Sequence, residues 1–128
     1  MMSSLEISKD TPAEMLRQLA ESIHQATGGM PIALKSRNMP GVFVDSDGSA
    51  DTSYESIVLD SVFLNSHVRK ARVDTGKYAG MPMMISPIED TDGFTIATLG
   101  IVDALGSLSL QEFAQISQRI KNQVLDSF

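Results

Sequence analysis

Cysteine is absent from the 128 residues, which excludes disulfide staples and thiolate-held metals. Only two histidines occur, His24 and His67. Neither stands in a pattern with carboxylates, so a transition-metal site and histidine-based catalysis both lack their parts. Tryptophan is also absent and aromatic residues make up 5% of the chain, too few for a base-stacking platform. Basic residues are outnumbered, 10 against 16 acidic, for a net charge of −6. Binding to phosphate backbones needs the opposite balance, which argues against nucleic acid as a partner. No apolar run approaches the roughly 20 residues that span a bilayer. The opening MMSSLEISKD has neither the basic region nor the apolar core of a secretory signal. The expectation is a cytoplasmic protein without a nucleic-acid or membrane partner. Neither phosphate-loop fingerprint nor a G-x-S-x-G element is present, so catalysis is not expected and any cofactor stays unidentified.

What is present centres on Tyr78 to Asp103, YAGMPMMISPIEDTDGFTIATLGIVD. Pro82 to Ile88 and Phe94 to Val102 are apolar on both faces, as central covered strands are. Between them Asp92-Gly93 supplies a hairpin turn, since glycine takes positive φ without steric cost. Ala97 and Gly100 are small and predict a close approach there, by a helix or a ligand. Asp45-Ser46-Asp47-Gly48 repeats the chemistry of Asp90-Thr91-Asp92-Gly93, which predicts two turns of one kind. A calcium reading fails on spacing, because the EF-hand glycine is the sixth loop residue and here it is the fourth.

Taken in order, residues 1–10 form a loose terminus and 11–128 a single domain. Thr11, Pro12 and Glu14 read as a capping box with proline at the first helical position. Met15, Leu16, Leu19, Ala20 and Ile23 then make an apolar stripe, for a helix over 12–27 ended by Gly28-Gly29. Strands are expected at 30–36 and 42–44, with a turn at Arg37 to Gly41. A polar loop is expected over 49–53, a helix over 54–64 and a charged, edge-like strand over 67–74. Ser109 to Glu112 reads as a second capping box opening a helix over 109–126. Eight methionines suit an irregular core.

The pattern of Tyr78, Gly80, Pro82, Pro87-Ile88, Asp90, Asp92-Gly93 and Gly100 to Asp103 resembles an uncharacterised family of small archaeal proteins, common in methane-producing archaea. That resemblance extends over about residues 12 to 106. More distantly, the last three strands are similar to PAS and Cache-type sensor domains. This second resemblance implies an α+β fold with a five-stranded, mostly antiparallel sheet in the order 2-1-5-4-3 and helices at both termini.

Six of the ten basic residues lie between positions 35 and 77: Lys35, Arg37, Arg69, Lys70, Arg72 and Lys77. They form either an anion site or a solvated edge guarded by charge. Strand parity puts Arg69 on one face and Lys70 with Arg72 on the other. Asp103, ending a buried strand, caps the following loop or holds a ligand amine or an arginine. Tyr78 is an anchor or a ligand lid. The candidate ligand-binding residues are therefore Arg37, Tyr54, Arg69, Arg72, Tyr78 and Asp103. The functional expectation is a non-catalytic ligand-binding or sensory module for a small, anionic metabolite held between the sheet and the helix at 54–65. The alternative is a dimerisation or adaptor module using the stripes of the terminal helices. Either way a homodimer is expected.

Overall fold

The two Asp-Gly tetrads close their turns with the same bonds. Asp45 N–H donates to Ser49 O at 2.8 Å and Gly48 N–H to Asp45 O at 2.9 Å; Asp90 N–H donates to Phe94 O at 2.9 Å and Gly93 N–H to Asp90 O at 3.0 Å. Gly48 and Gly93 take φ of +87° and +83°, which a side chain would resist. Each turn therefore demands a strand on both sides. The computed structural model describes residues 7–104, 111 and 113–118, and it contains both hairpins. The first joins β2 (Gly41–Val44) to β3 (Ala50–Tyr54), and the second joins β5 (Pro82–Glu89) to β6 (Thr95–Val102). The expected polar loop at 49–53 is thus mostly strand. Its residues alternate half-buried and exposed, so no apolar run announces it.

With β1 (Ile32–Ser36) and β4 (Arg69–Arg72), the described residues form one six-stranded sheet in the order β3-β2-β1-β6-β5-β4. Every pairing is antiparallel. The class is α+β, with six strands where five were expected. The five anticipated strands keep their anticipated neighbours, and the additional one, β3, lies on the outer edge of β2. β4 is the opposite edge, where its charge discourages pairing with another sheet. β6 is buried at all eight positions, as its two-sided apolar sequence requires.

One sheet face is covered by α1 (Ala13–Ala26), which buries Ala13, Leu16, Leu19, Ala20 and Ile23. Met15 stays 56% exposed. Phe113, in the helical residues 113–118, is fully buried in the same cluster as Leu34, Met84, Leu99 and Ile101. Ser109 and Glu112, the two ends of the second capping box, lie outside the described residues. The N-terminal box does not form: Pro12 occupies the N-cap position and no side chain caps the helix. Thr11 instead accepts Ser8 N–H at 2.8 Å, and its carbonyl accepts the Ser36 hydroxyl. Ile7 is buried in the core cluster on the α1 face, so the chain is tied to the core several residues before the helix.

The other face carries α2 (Ile57–Asp60) and a 3-10 turn (Ser61–Phe63). Together they replace the longer helix expected over 54–64. Tyr54 belongs to β3, and Ser56 caps α2 by accepting Leu59 N–H at 3.1 Å. Three β-branched residues, Ile57, Val58 and Val62, fall in this short span, which weakens a longer helix. The close approach predicted at Gly100 is made by this element. A Cβ on Gly100 would lie 3.0 Å from Leu59 Cδ2 and 2.9 Å from Met83 Sδ. Leu59, Val62, Met83 and Ile85 fill the space between helix and sheet.

Candidate functional site

Val42 and Val44 point to the α1 face, so Phe43 must point to the other. Asp51 is its cross-strand partner, and Tyr54 is the partner of Gly41, with a register shift between Gly41 and Phe43. That bulge adds one residue to β3. Without it Tyr54 would face away from Asp51. With it, Phe43, Asp51 and Tyr54 share one face. The segment from Val73 to Met81 folds over them. It is closed by Val73 N–H to Met81 O at 3.0 Å and Gly80 N–H to Val73 O at 2.7 Å, and it delivers Lys77 and Tyr78.

These groups line an open pocket of about 520 Å³. Its apolar wall is aromatic: the Phe43 ring lies 4.9 Å from the Tyr54 ring and 5.9 Å from the Tyr78 ring, both tilted by 34°. Its polar wall holds Asp45, Asp51, Ser53, Glu55 and Lys77. The Tyr78 hydroxyl donates to Asp45 Oδ1 at 2.6 Å, and Lys77 Nζ lies 3.0 Å from Asp45 Oδ2. Partial burial pushes the Asp45 carboxyl up, but Tyr78, Lys77 and the Ser46 N–H outweigh it and hold the pKa at about 2, below the ordinary 3.8. Burial, and then the Asp74 carboxylate, push the Tyr54 phenol up, with the Ser56 hydroxyl opposing. The Tyr54 hydroxyl is buried without a hydrogen-bond partner. Ser56 is already committed to Asp74 at 2.6 Å and to Leu59.

Because its folded pKa is depressed, Asp45 stabilises the fold above pH ~4, and this contribution is lost as pH falls toward about 2. Tyr78→Phe removes one of its partners. The variant should be less stable by about 1 kcal/mol at neutral pH, allowing for solvent screening at the rim. The difference should vanish by about pH 2. Urea midpoints of both proteins across that range measure it, and a difference independent of pH would mean that Tyr78 acts by packing alone.

The six expected ligand-binding residues fall into three separate pairs. Tyr54 and Tyr78 meet in the pocket just described. Arg72 and Asp103 line a second cavity of about 390 Å³ on the α1 face, with Lys70 and Met84. There Arg72 donates to Gly80 O at 2.7 Å, and Asp103, 5% exposed, donates its own N–H to Pro82 O. Arg37 and Arg69 flank the 3-10 turn on the opposite face. Arg37 lies between the Phe63 and Phe94 rings, 4.7 and 4.6 Å from their centroids, and donates to Thr95 O at 3.1 Å. Arg69 donates to the Ser61 hydroxyl and to Asn65 O. Strand parity therefore separates Arg69 from Lys70 and Arg72 as expected. The six basic residues do not converge on one anion site. Lys35 is buried and paired with Asp60 at 3.1 Å.

Phe43, Asp51 and Glu55 were not singled out in the sequence, while Asp45 was read only as a turn residue and Lys77 only as a member of the basic cluster. The signal that reaches them is the first Asp-Gly tetrad: a hairpin turn there requires a partner strand at 50–54, which sets Asp51 and Tyr54 beside Phe43.

The family profile described as "Uncharacterized protein conserved in archaea" (DUF2111) matches residues 23–105, a span that includes all six strands and every residue of the pocket. Uncharacterized protein MJ0405 of Methanocaldococcus jannaschii is 31% identical over 115 residues, covering 90% of this chain and 86% of that one. No solved structure matches the chain.

Proposed function

The chain belongs to this uncharacterised archaeal family (DUF2111), and from that premise we propose that it is a non-catalytic ligand-binding or sensory module of PAS/Cache-like kind. The observation that carries the reading is the pocket between β3 and the segment at 73–81. Its volume of about 520 Å³ lies within the ~300–1,000 Å³ of small-molecule sites, and it joins an aromatic wall to a few polar groups, as such sites do. The strand neighbours shared with the 2-1-5-4-3 order support the PAS/Cache likeness. The ligand sits beside α2 and not beneath it, because Leu59 and Met83 occupy the space over Gly100.

A second reading, self-association as a homodimer, draws on the exposed Ile57, Leu64, Val68 and Phe94 around α2 and the 3-10 turn; Leu64 is 93% exposed. Such side chains on one side of a molecule favour a partner surface. The stripe of α1 is not available for this role, being spent on its own sheet.

One experiment addresses both readings. Native mass spectrometry of the protein purified from its natural source should show excess mass that is lost on denaturation, and the same spectrum reports the number of chains. A mass equal to the bare chain would count against the ligand reading, and a single-chain species at tens of micromolar against the dimer.

A further inference from the structure

Resting on that reading of the pocket, we infer that its ligand is an organic cation, an ammonium group carried on a small apolar body. Three observations converge on this class. First, the wall is formed by the faces and edges of three aromatic rings, Phe43, Tyr54 and Tyr78, with neighbouring centroids 4.9 and 5.9 Å apart. Ring quadrupoles attract cations, most strongly where water is excluded. Second, the pocket carries more carboxylate than the chain neutralises. Lys77 pairs with Asp45 at 3.0 Å. Asp51 and Glu55 have no ion pair among the described residues, and Asp51 accepts the Ser53 N–H at 2.9 Å. Third, the chain already seats an ammonium against these walls: Lys77 Nζ touches Asp45 and lies 5.3 Å from the Tyr78 centroid. A ligand ammonium would repeat that arrangement one step inward, between the Asp51 and Glu55 carboxylates and the Phe43 and Tyr54 rings.

An anionic ligand fits less well. The Arg72 and Lys70 cavity lies on the opposite face of the sheet, and Lys77 is already held by Asp45. The sign of the charge is therefore the distinguishing feature of the proposal.

Choline and its isostere 3,3-dimethylbutan-1-ol differ in the presence of the positive charge, and n-butylammonium supplies a primary amine. Titrated into the full chain and followed by amide and aromatic NMR shifts, choline or n-butylammonium should bind with a Kd on the order of 1 mM or tighter, moving Phe43, Tyr54 and Tyr78. The isostere should bind at least ~10-fold more weakly. Asp51→Asn with Glu55→Gln, both exposed positions, should weaken the cation about 10-fold. Lys77→Gln, which frees the third carboxylate, should tighten it by about threefold. A purely structural lysine would not produce that gain. Equal binding of the isostere would overturn the cation while leaving a small-molecule pocket. Cation binding unchanged both by the acidic variants and by Lys77→Gln would overturn the part given to the carboxylates. Failure of both cations to bind would overturn the proposal outright. In that case, excess native mass would preserve the ligand-binding reading, and a bare-chain mass would end both.

Discussion

Truncating Leu99 to alanine should lower stability by about 2–5 kcal/mol, read as a shift in the urea midpoint at unchanged slope. Leu99 stands in the middle of β6, facing Leu34 of β1 on one side and Ser86 of β5 on the other. It is fully buried in the cluster that α1 and Phe113 close. Two neighbouring strands and a covering helix surround the void that alanine would leave, so little can collapse to fill it. A single domain holds about 5–15 kcal/mol in all, and this change alone could remove a large share. Leu64→Ala makes the matched control: the same atoms are deleted from a side chain 93% exposed, and the effect should stay within about 0.5 kcal/mol. A loss under ~1 kcal/mol at Leu99 would mean that this face of the sheet is not sealed.

Gly41→Ala should cost about 1–3 kcal/mol through overpacking. A Cβ there would lie 2.8 Å from Leu34 O and 2.8 Å from Lys35 Cβ. Both atoms belong to β1, and Leu34 and Lys35 are held on their far side by Leu99 and Thr98. Relief requires β2 to move away from β1. Gly100→Ala provides the contrast. Its Cβ would meet Met83 Sδ at 2.9 Å and Leu59 Cδ2 at 3.0 Å, the ends of side chains that can turn aside, so the penalty should be smaller. Thermal unfolding of the two variants side by side ranks them. If Gly100→Ala were the worse, rigid backbone would not be the source of the Gly41 penalty. The Gly41 change should also disturb the pocket, because Gly41 faces Tyr54 beside the bulge.

Local chemistry made much of this fold readable. The β5–β6 hairpin follows from two apolar runs around an Asp-Gly turn, and α1 from a stripe ended by paired glycines; both stand where their residues predict. The five anticipated strands also keep their neighbours. β3 escaped notice because Ala50, Asp51, Thr52 and Ser53 contain almost nothing apolar, and an edge strand lying half in solvent needs little. Gly41 read as a turn residue, whereas it is the first residue of β2 and has no room for a side chain. The pocket was legible only in its two tyrosines. Its shape depends on a one-residue register shift and on the closure of residues 73–81, neither of which periodicity encodes. The supposed basic site dissolved for a simpler reason: residues close in sequence on a strand alternate between faces.

The strand order has a kinetic consequence. β1, β2 and β3 form one meander and β4, β5 and β6 another, each with neighbours adjacent in sequence, and the two halves join only along β1 and β6. Within each half, pairing closes short loops and can proceed early. The seam joins residues 61 to 69 positions apart, from Ser36 with Ala97 to Ile32 with Ile101, so most of the entropy of closure is concentrated in that single step. Until β6 arrives, α1 has only part of the surface it needs, and the early half remains adhesive. The chain thus places its most apolar strand both at the centre of the finished sheet and after the other five strands of the described residues, which makes completion of the seam the event that turns two marginal fragments into one cooperative unit.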